Sequence, residues 1–134
     1  MIIAALSLTI EGPRRKQVVR SLRALSGPTR VEPGCLACRV LEESDDPTRL
    51  LYLEYWQSSE QLVSQLRSKR YRHVLALMEE SVVSPELQFL WVSQVKGIEF
   101  LEAARLTSQG EGEAPGTAPT GTPLGSPSQP ERPV

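Results

Sequence analysis

The chain is poor in the residues that most often carry chemistry. Its 134 residues include one histidine and two cysteines, and aromatic residues make up only 5%. Two cysteines cannot build a disulfide framework, so a reduced, cytoplasmic setting is the default. One His and two Cys are too few ligands for a tetrahedral zinc site within one chain. The formal net charge is −1, and no global field points to nucleic acid or a membrane. The longest early apolar run is Met1 to Leu6, far short of the ~20 residues of a membrane span. No basic segment precedes that run, which argues against a signal peptide. There is also no Gly-rich phosphate loop and no Ser-His-Asp order.

Composition changes sharply near Ser108. From there to Val134 the chain holds six prolines and five glycines, and its only larger apolar residues are Leu124 and Val134. Such a stretch buries too little surface to offset its ordering entropy. The reading is one domain over residues 1–107, followed by a disordered tail over 108–134.

The first 107 residues alternate in period. Ile2 to Ile10 reads as a strand. Pro13 sits well in a first helical turn, and Val18, Val19, Leu22 and Leu25 recur at helical spacing up to a Gly27-Pro28 stop. Cys35 to Glu43 and Arg49 to Gln57 read as two strands joined by a short Ser44-Asp45-Asp46-Pro47 turn, hence an antiparallel hairpin. Ser58, with Gln61 three residues on, suits a capping box before Leu62, Val63 and Leu66. A further helical pattern carries Tyr71, Val74, Leu75, Met78 and Val82. Leu87 to Val95 reads as a fourth strand, and a short helix is expected at about 97–106.

The order is β-α-β-β-α-β. It specifies an α+β, ferredoxin-like split βαβ domain: a four-stranded antiparallel sheet with helices on one face. The third and fourth strands read as apolar on both sides. The uncovered face therefore predicts a homodimer, two sheets packed face to face.

Three stretches carry a family resemblance: Glu32-Pro33-Gly34-Cys35-Leu36, then Leu53-Glu54-Tyr55-Trp56-Gln57-Ser58, then Leu66-Arg67-Ser68 with Tyr71, Leu75 and Pro85. Over about residues 1 to 95 the chain resembles the antibiotic biosynthesis monooxygenase (ABM) family, of the dimeric α+β barrel superfamily. The resemblance implies a dimeric α+β barrel and a pocket between sheet and helices. It also implies reactions that need no cofactor, in which quinols or polycyclic phenols meet dioxygen. The family also contains haem-degrading enzymes, an isomerase and members without assigned activity, so fold alone does not settle function. One departure stands out. Where members often have L-x-x-H-L-x-S, this chain has Leu62-Val63-Ser64-Gln65-Leu66-Arg67-Ser68, with Gln65 in place of the histidine. Glutamine can hydrogen-bond a substrate but cannot titrate. The only histidine, His73, lies on another side of the next helix, which disfavours haem degradation.

The candidate pocket residues are Trp56, Gln65, Tyr71, Glu54 and Tyr52, with no catalytic residue, cofactor or metal ligand assigned. Tyr52, Glu54 and Trp56 share one strand face. Trp56 is read as an aromatic wall for a flat ligand, against the alternative of a plain core aromatic. Glu54 is a buried carboxylate, and such groups more often pair with an Arg, an amide or a partner subunit than act in catalysis. Gln65 is read as a polar pocket contact, with a solvent-facing side chain as its alternative. For Tyr71 packing is the better reading. Cys35 and Cys38, three apart on a strand, should point to opposite faces and so oppose pairing. Two basic groups, Arg14-Arg15-Lys16 with Arg20 and Arg23, and Arg67, Lys69, Arg70 and Arg72, read as solvated helix faces. The functional expectation is a cofactor-independent monooxygenase-like enzyme for a small aromatic quinol or polycyclic phenol. Its alternative is a non-catalytic dimeric module that binds a small molecule or a protein.

Overall fold

The computed structural model describes residues 1–111. The chain divides into two units, Met1–Ser93 and Gln94–Val134. The first holds strands β1 (Ile2–Thr9), β2 (Cys35–Glu42), β3 (Arg49–Trp56) and β4 (Glu86–Trp91). It also holds helices α1 (Arg14–Arg30), α2 (Ser59–Leu66) and α3 (Lys69–Met78). All strand pairs are antiparallel, in the order β2-β3-β1-β4. This is the expected split βαβ arrangement.

Strict alternation decides which side chains enter the core. In β1 and β3 every second residue is buried. Ile2, Ala4, Leu6 and Leu8 meet Leu50, Tyr52 and Trp56 from the neighbouring strand on the helical side. Val18, Val19 and Leu22 of α1 and Tyr71 and Val74 of α3 close the larger core cluster. Leu62 of α2 closes a smaller one around Trp56. On the opposite face Ile3, Ala5, Leu51, Leu53 and Tyr55 form a half-buried apolar strip, while Glu86 and Gln88 keep the β4 side polar. Doubly apolar character therefore belongs to β3 and β1 more than to β4.

Several boundaries differ from the sequence reading, each for a local reason. Helix α1 runs through Gly27-Pro28 to Arg30. Pro28 cannot donate to the helix ladder. Two buried hydroxyls support the helix there: Thr29 Oγ1 donates to the Leu25 carbonyl at 2.8 Å and Ser26 Oγ to the Arg23 carbonyl at 2.8 Å. β4 stops at Trp91 because its partner runs out: Trp91 pairs with Ile2, and Val92 N–H caps the Met1 carbonyl at 2.9 Å. Val82 lies beyond α3, its N–H bonded to the Thr9 carbonyl at 2.8 Å.

The Cys35/Cys38 reading also needs correction. A bulge between Cys35 and Ala37 sets Cys35 opposite Trp56 and Cys38 opposite Glu54. Trp56 and Glu54 share a face, so both cysteines lie on the helical side. Both are free thiols.

The second unit contributes α4 (Ile98–Glu111), which ends five residues beyond the expected 106. Lys96 Nζ sits 5.0 Å from the Phe100 ring centroid within it. The disordered tail expected over 108–134 starts inside this helix, and residues 112–134 lie outside the described residues. No helix among the described residues is long and apolar enough to cross a membrane.

Candidate functional site

Two helix caps and one glycine shape the ground beside Trp56. Ser58 Oγ accepts from Gln61 N–H at 3.3 Å and starts α2. The Ser58 hydroxyl also donates to Gln61 Oε1 at 3.0 Å, so Gln61 serves the cap through its side chain. Ser68 Oγ accepts from Tyr71 N–H at 3.1 Å and starts α3. Between these caps α2 presents Leu62 and Gln65 inward. Gly34 has φ +87°, and its carbonyl accepts from Gln57 N–H at 2.8 Å. This turn needs glycine for its backbone angle, and a Cβ there would stand 2.0 Å from Gln61 Oε1 and push that side chain aside.

A cavity of about 220 Å³ opens here, lined by Trp56, Gln61, Ser64, Gln65, Arg70 and Glu32 among others. Beneath it runs a directional hydrogen-bond chain. Trp56 Nε1–H donates to Glu54 Oε1 at 2.9 Å, and Gln65 Nε2–H donates to Glu54 Oε2 at 3.1 Å. Gln65 Oε1 in turn accepts from Arg70 Nη1 at 3.1 Å. Arg70 Nη2 completes an ion pair with Glu32 Oε2 at 2.8 Å. Trp56 and Glu54 are each 1% exposed and Gln65 3%, so three of these groups are sealed from water. Every donor in the chain meets an acceptor, as buried polar groups require.

Of the five residues singled out from sequence, Trp56, Glu54 and Gln65 come together directly. Glu54 takes neither an arginine nor a backbone amide. Its partners are an indole, a carboxamide and the Tyr52 hydroxyl. Gln65 is buried rather than solvent-facing. Tyr52 and Tyr71 lie in the larger core cluster and do not line the cavity. Burial, then the negative charge of Glu54, pushes both phenols above the usual tyrosine range. Neither can serve as a base near neutral pH. Cys38 donates to the Tyr52 hydroxyl at 3.3 Å, and burial pushes its thiol up to about 11. Burial also raises the Cys35 thiol. Such thiols are protonated and poorly nucleophilic. Among the described residues no three His, Cys, Asp or Glu side chains converge to hold a metal ion. His73 is exposed.

Arg70 and Glu32 are the residues sequence reasoning missed. Arg70 belonged to a basic run expected on a solvated face, and Glu32 to a turn. The structure folds the Glu32 turn against the start of α3, so that they meet over the cavity, 38 residues apart. A non-local contact of this kind leaves no periodic signal.

Comparison with known proteins agrees with the fold. The profile of the family described as antibiotic biosynthesis monooxygenase matches residues 1–77. A crystal structure from Deinococcus radiodurans, described as a candidate antibiotic biosynthesis monooxygenase, superposes with a TM-score of 0.67 at 21% identity. It covers 73% of this chain and 98% of its own. A second such candidate, from Nitrosomonas europaea, gives 0.63 at 14% identity, with 70% and 100% covered. Rv0793 from Mycobacterium tuberculosis gives 0.60 at 21% identity, with 72% and 100% covered. At these identities the structures speak for the fold. No curated protein matches the chain in sequence. With more than half its length matched by the family profile, and the same split βαβ sheet beneath, the chain belongs to the antibiotic biosynthesis monooxygenase family.

Proposed function

We propose that this protein binds a small aromatic quinol or phenol in the cavity beside Trp56 and promotes its monooxygenation by dioxygen without a resident cofactor. The substrate itself supplies the two electrons and two protons: a phenol gains a ring carbonyl and becomes a quinone, or a quinol gains a ring hydroxyl as it is oxidised to the quinone, and the other oxygen atom leaves as water. The observation that carries the reading is the cavity itself. The edge of the Trp56 indole lines it together with the Arg70 guanidinium, the Glu32 carboxylate, the Gln61 and Gln65 carboxamides and two serine hydroxyls. An apolar wall with a few converging polar groups is the usual form of a small-molecule site. At about 220 Å³ it lies below the roughly 300–1,000 Å³ of drug-sized sites. That size favours a ligand of one or two rings over a larger polycycle. The Arg70 guanidinium would stabilise a phenolate as its electron density rises toward dioxygen. Trp56 and Gln65 would set the ring's plane.

The proposed working form is a homodimer in which the Ile3, Leu51, Leu53 and Tyr55 strip is covered by a second copy. A specific observation favours the rival reading of a non-catalytic binding module. Both oxygens of Glu54 are engaged, and Gln65 stands where family members often carry a titratable histidine, so the buried chain offers no free base.

Oxygen uptake and product mass, with mono- and bicyclic quinols under air, separate the two readings. The expected result is turnover that falls at least about tenfold in Trp56→Ala and in Ser64→Phe, since pocket contacts commonly carry such factors. Ser64 is exposed, so its replacement fills the cavity mouth without loss of core. Ligand-induced thermal stabilisation without oxygen uptake supports the binding module instead.

A further inference from the structure

A second pocket, of about 360 Å³, lies on the outer side of α1 against the end of β2. Arg15, Lys16, Val19, Arg20, Arg23 and Glu42 line it. It shares no lining residue with the Trp56 cavity. We propose that this pocket binds a phosphate-bearing small molecule.

Charge is the first argument. Four cationic side chains surround one carboxylate, a local charge of +3, in a chain whose net charge is −1. Glu42 is shared by Arg15 and Arg23, the latter at 3.2 Å. Lys16 and Arg20 are exposed and form no ion pair among the described residues.

Arg15 and Arg23 serve the fold through Glu42, but Lys16 and Arg20 take no part in those pairs. The first turn of α1 contains no acidic residue and begins Arg14-Arg15-Lys16, against the positive end of the helix dipole. Lys16 and Arg20 repel one another at i,i+4 spacing. Helices are ordinarily stabilised by the opposite pattern, and a bound anion would relieve the repulsion.

Unused donors are the second argument. The Arg15 guanidinium is held in place by Glu42. The exposed Lys16 ammonium and the spare N–H groups of the exposed Arg20 and Arg23 stand beside it and suit an anion with several acceptor oxygens. Phosphate meets arginine forks in pairs of parallel bonds and carries up to two charges. One carboxylate would satisfy fewer donors and leave most of the excess charge unbalanced.

Titration calorimetry of the full chain with pyrophosphate tests the proposal. One saturable site per chain is expected. Its affinity should fall at least about tenfold in Lys16→Ala/Arg20→Ala, since two charge-assisted contacts are removed. Those side chains are exposed and unpaired, so the fold is not at stake. The matching control, Lys69→Ala/Arg72→Ala, removes the same charge from α3 and should leave affinity within about twofold, because distant exposed charges are screened. Pyrophosphate binding without binding to phosphatidic acid vesicles supports a free phosphate ester as ligand. Binding of both supports a phosphorylated headgroup. Absence of binding to pyrophosphate overturns the proposal, as does equal loss in both variants. Capture of RNA through α1 without pyrophosphate binding also overturns it.

Discussion

Replacing Glu54 by glutamine changes almost no volume, yet it should disrupt the chain of donors under the cavity. Position 54 receives two N–H groups, from Trp56 at 2.9 Å and Gln65 at 3.1 Å, and so must present only acceptors. A carboxamide there turns an NH2 group toward one of them. Rotating the Gln65 amide does not help, because its nitrogen would then face the Arg70 guanidinium now bound to its oxygen. One buried donor is left unpaired whichever way the amides turn, at a cost of about 1–3 kcal/mol. For a domain of this size about 2 kcal/mol is roughly 8–16 °C of Tm. The decisive comparison is the double variant Glu54→Gln/Gln65→Glu. Now Trp56 donates to the new amide oxygen, the new NH2 donates to the carboxylate at position 65, and Arg70 meets that carboxylate's other oxygen. Every group is satisfied again. Gln65→Glu alone sets two carboxylates against each other and should also destabilise. Urea unfolding of the four proteins, followed by circular dichroism and tryptophan fluorescence, gives the cycle. The double variant should recover at least about 1 kcal/mol relative to the sum of the single losses. Strict additivity, or a Glu54→Gln protein within about 0.5 kcal/mol of the parent, would refute the directional network.

Three further outcomes follow from the same structure. Gly34→Ala should cost at least about 1 kcal/mol, from the positive φ and from the displacement of the Gln61 side chain that serves the Ser58 cap. Urea midpoints check this, and an unchanged midpoint would contradict the described turn. At alkaline pH the folded-state values of Tyr52, Tyr71 and Cys38 all lie above their ordinary ones. The unfolded chain therefore loses these protons first. Their contribution to stability is full below the ordinary thiol and tyrosine values, about 8.5 and 10, and fades as pH rises past them. Absorbance at 295 nm from Tyr52 and Tyr71 should thus appear together with loss of circular dichroism. At pH 8 a thiol near 11 is about one-thousandth thiolate, so Cys38 should react with a disulfide reagent only after unfolding. Prompt labelling of Cys38 in the native protein would contradict its burial.

What the amino-acid order determined alone was everything governed by short-range periodicity. Alternating burial in β1 and β3, the Ser58 and Ser68 caps, the split helix between them and the hairpin turn all follow from local spacing and turn chemistry. The motifs around Gly34 and Trp56 lie on the helical side of the sheet, beside the cavity. Tertiary structure decided the rest, because it depends on partners far apart in sequence. Burial of Ser26 and Thr29 on its inner face holds α1 helical past a proline that ordinarily stops a helix. The end of β1 truncated β4, and a bulge turned Cys35 onto the face of Cys38. Above all, the meeting of Arg70 with Glu32 and Gln65 made a bound group of a residue that resembled its solvated neighbours. Local sequence sets which way a side chain leaves the backbone. Only packing decides which groups lose their water, and so which of them must find one another.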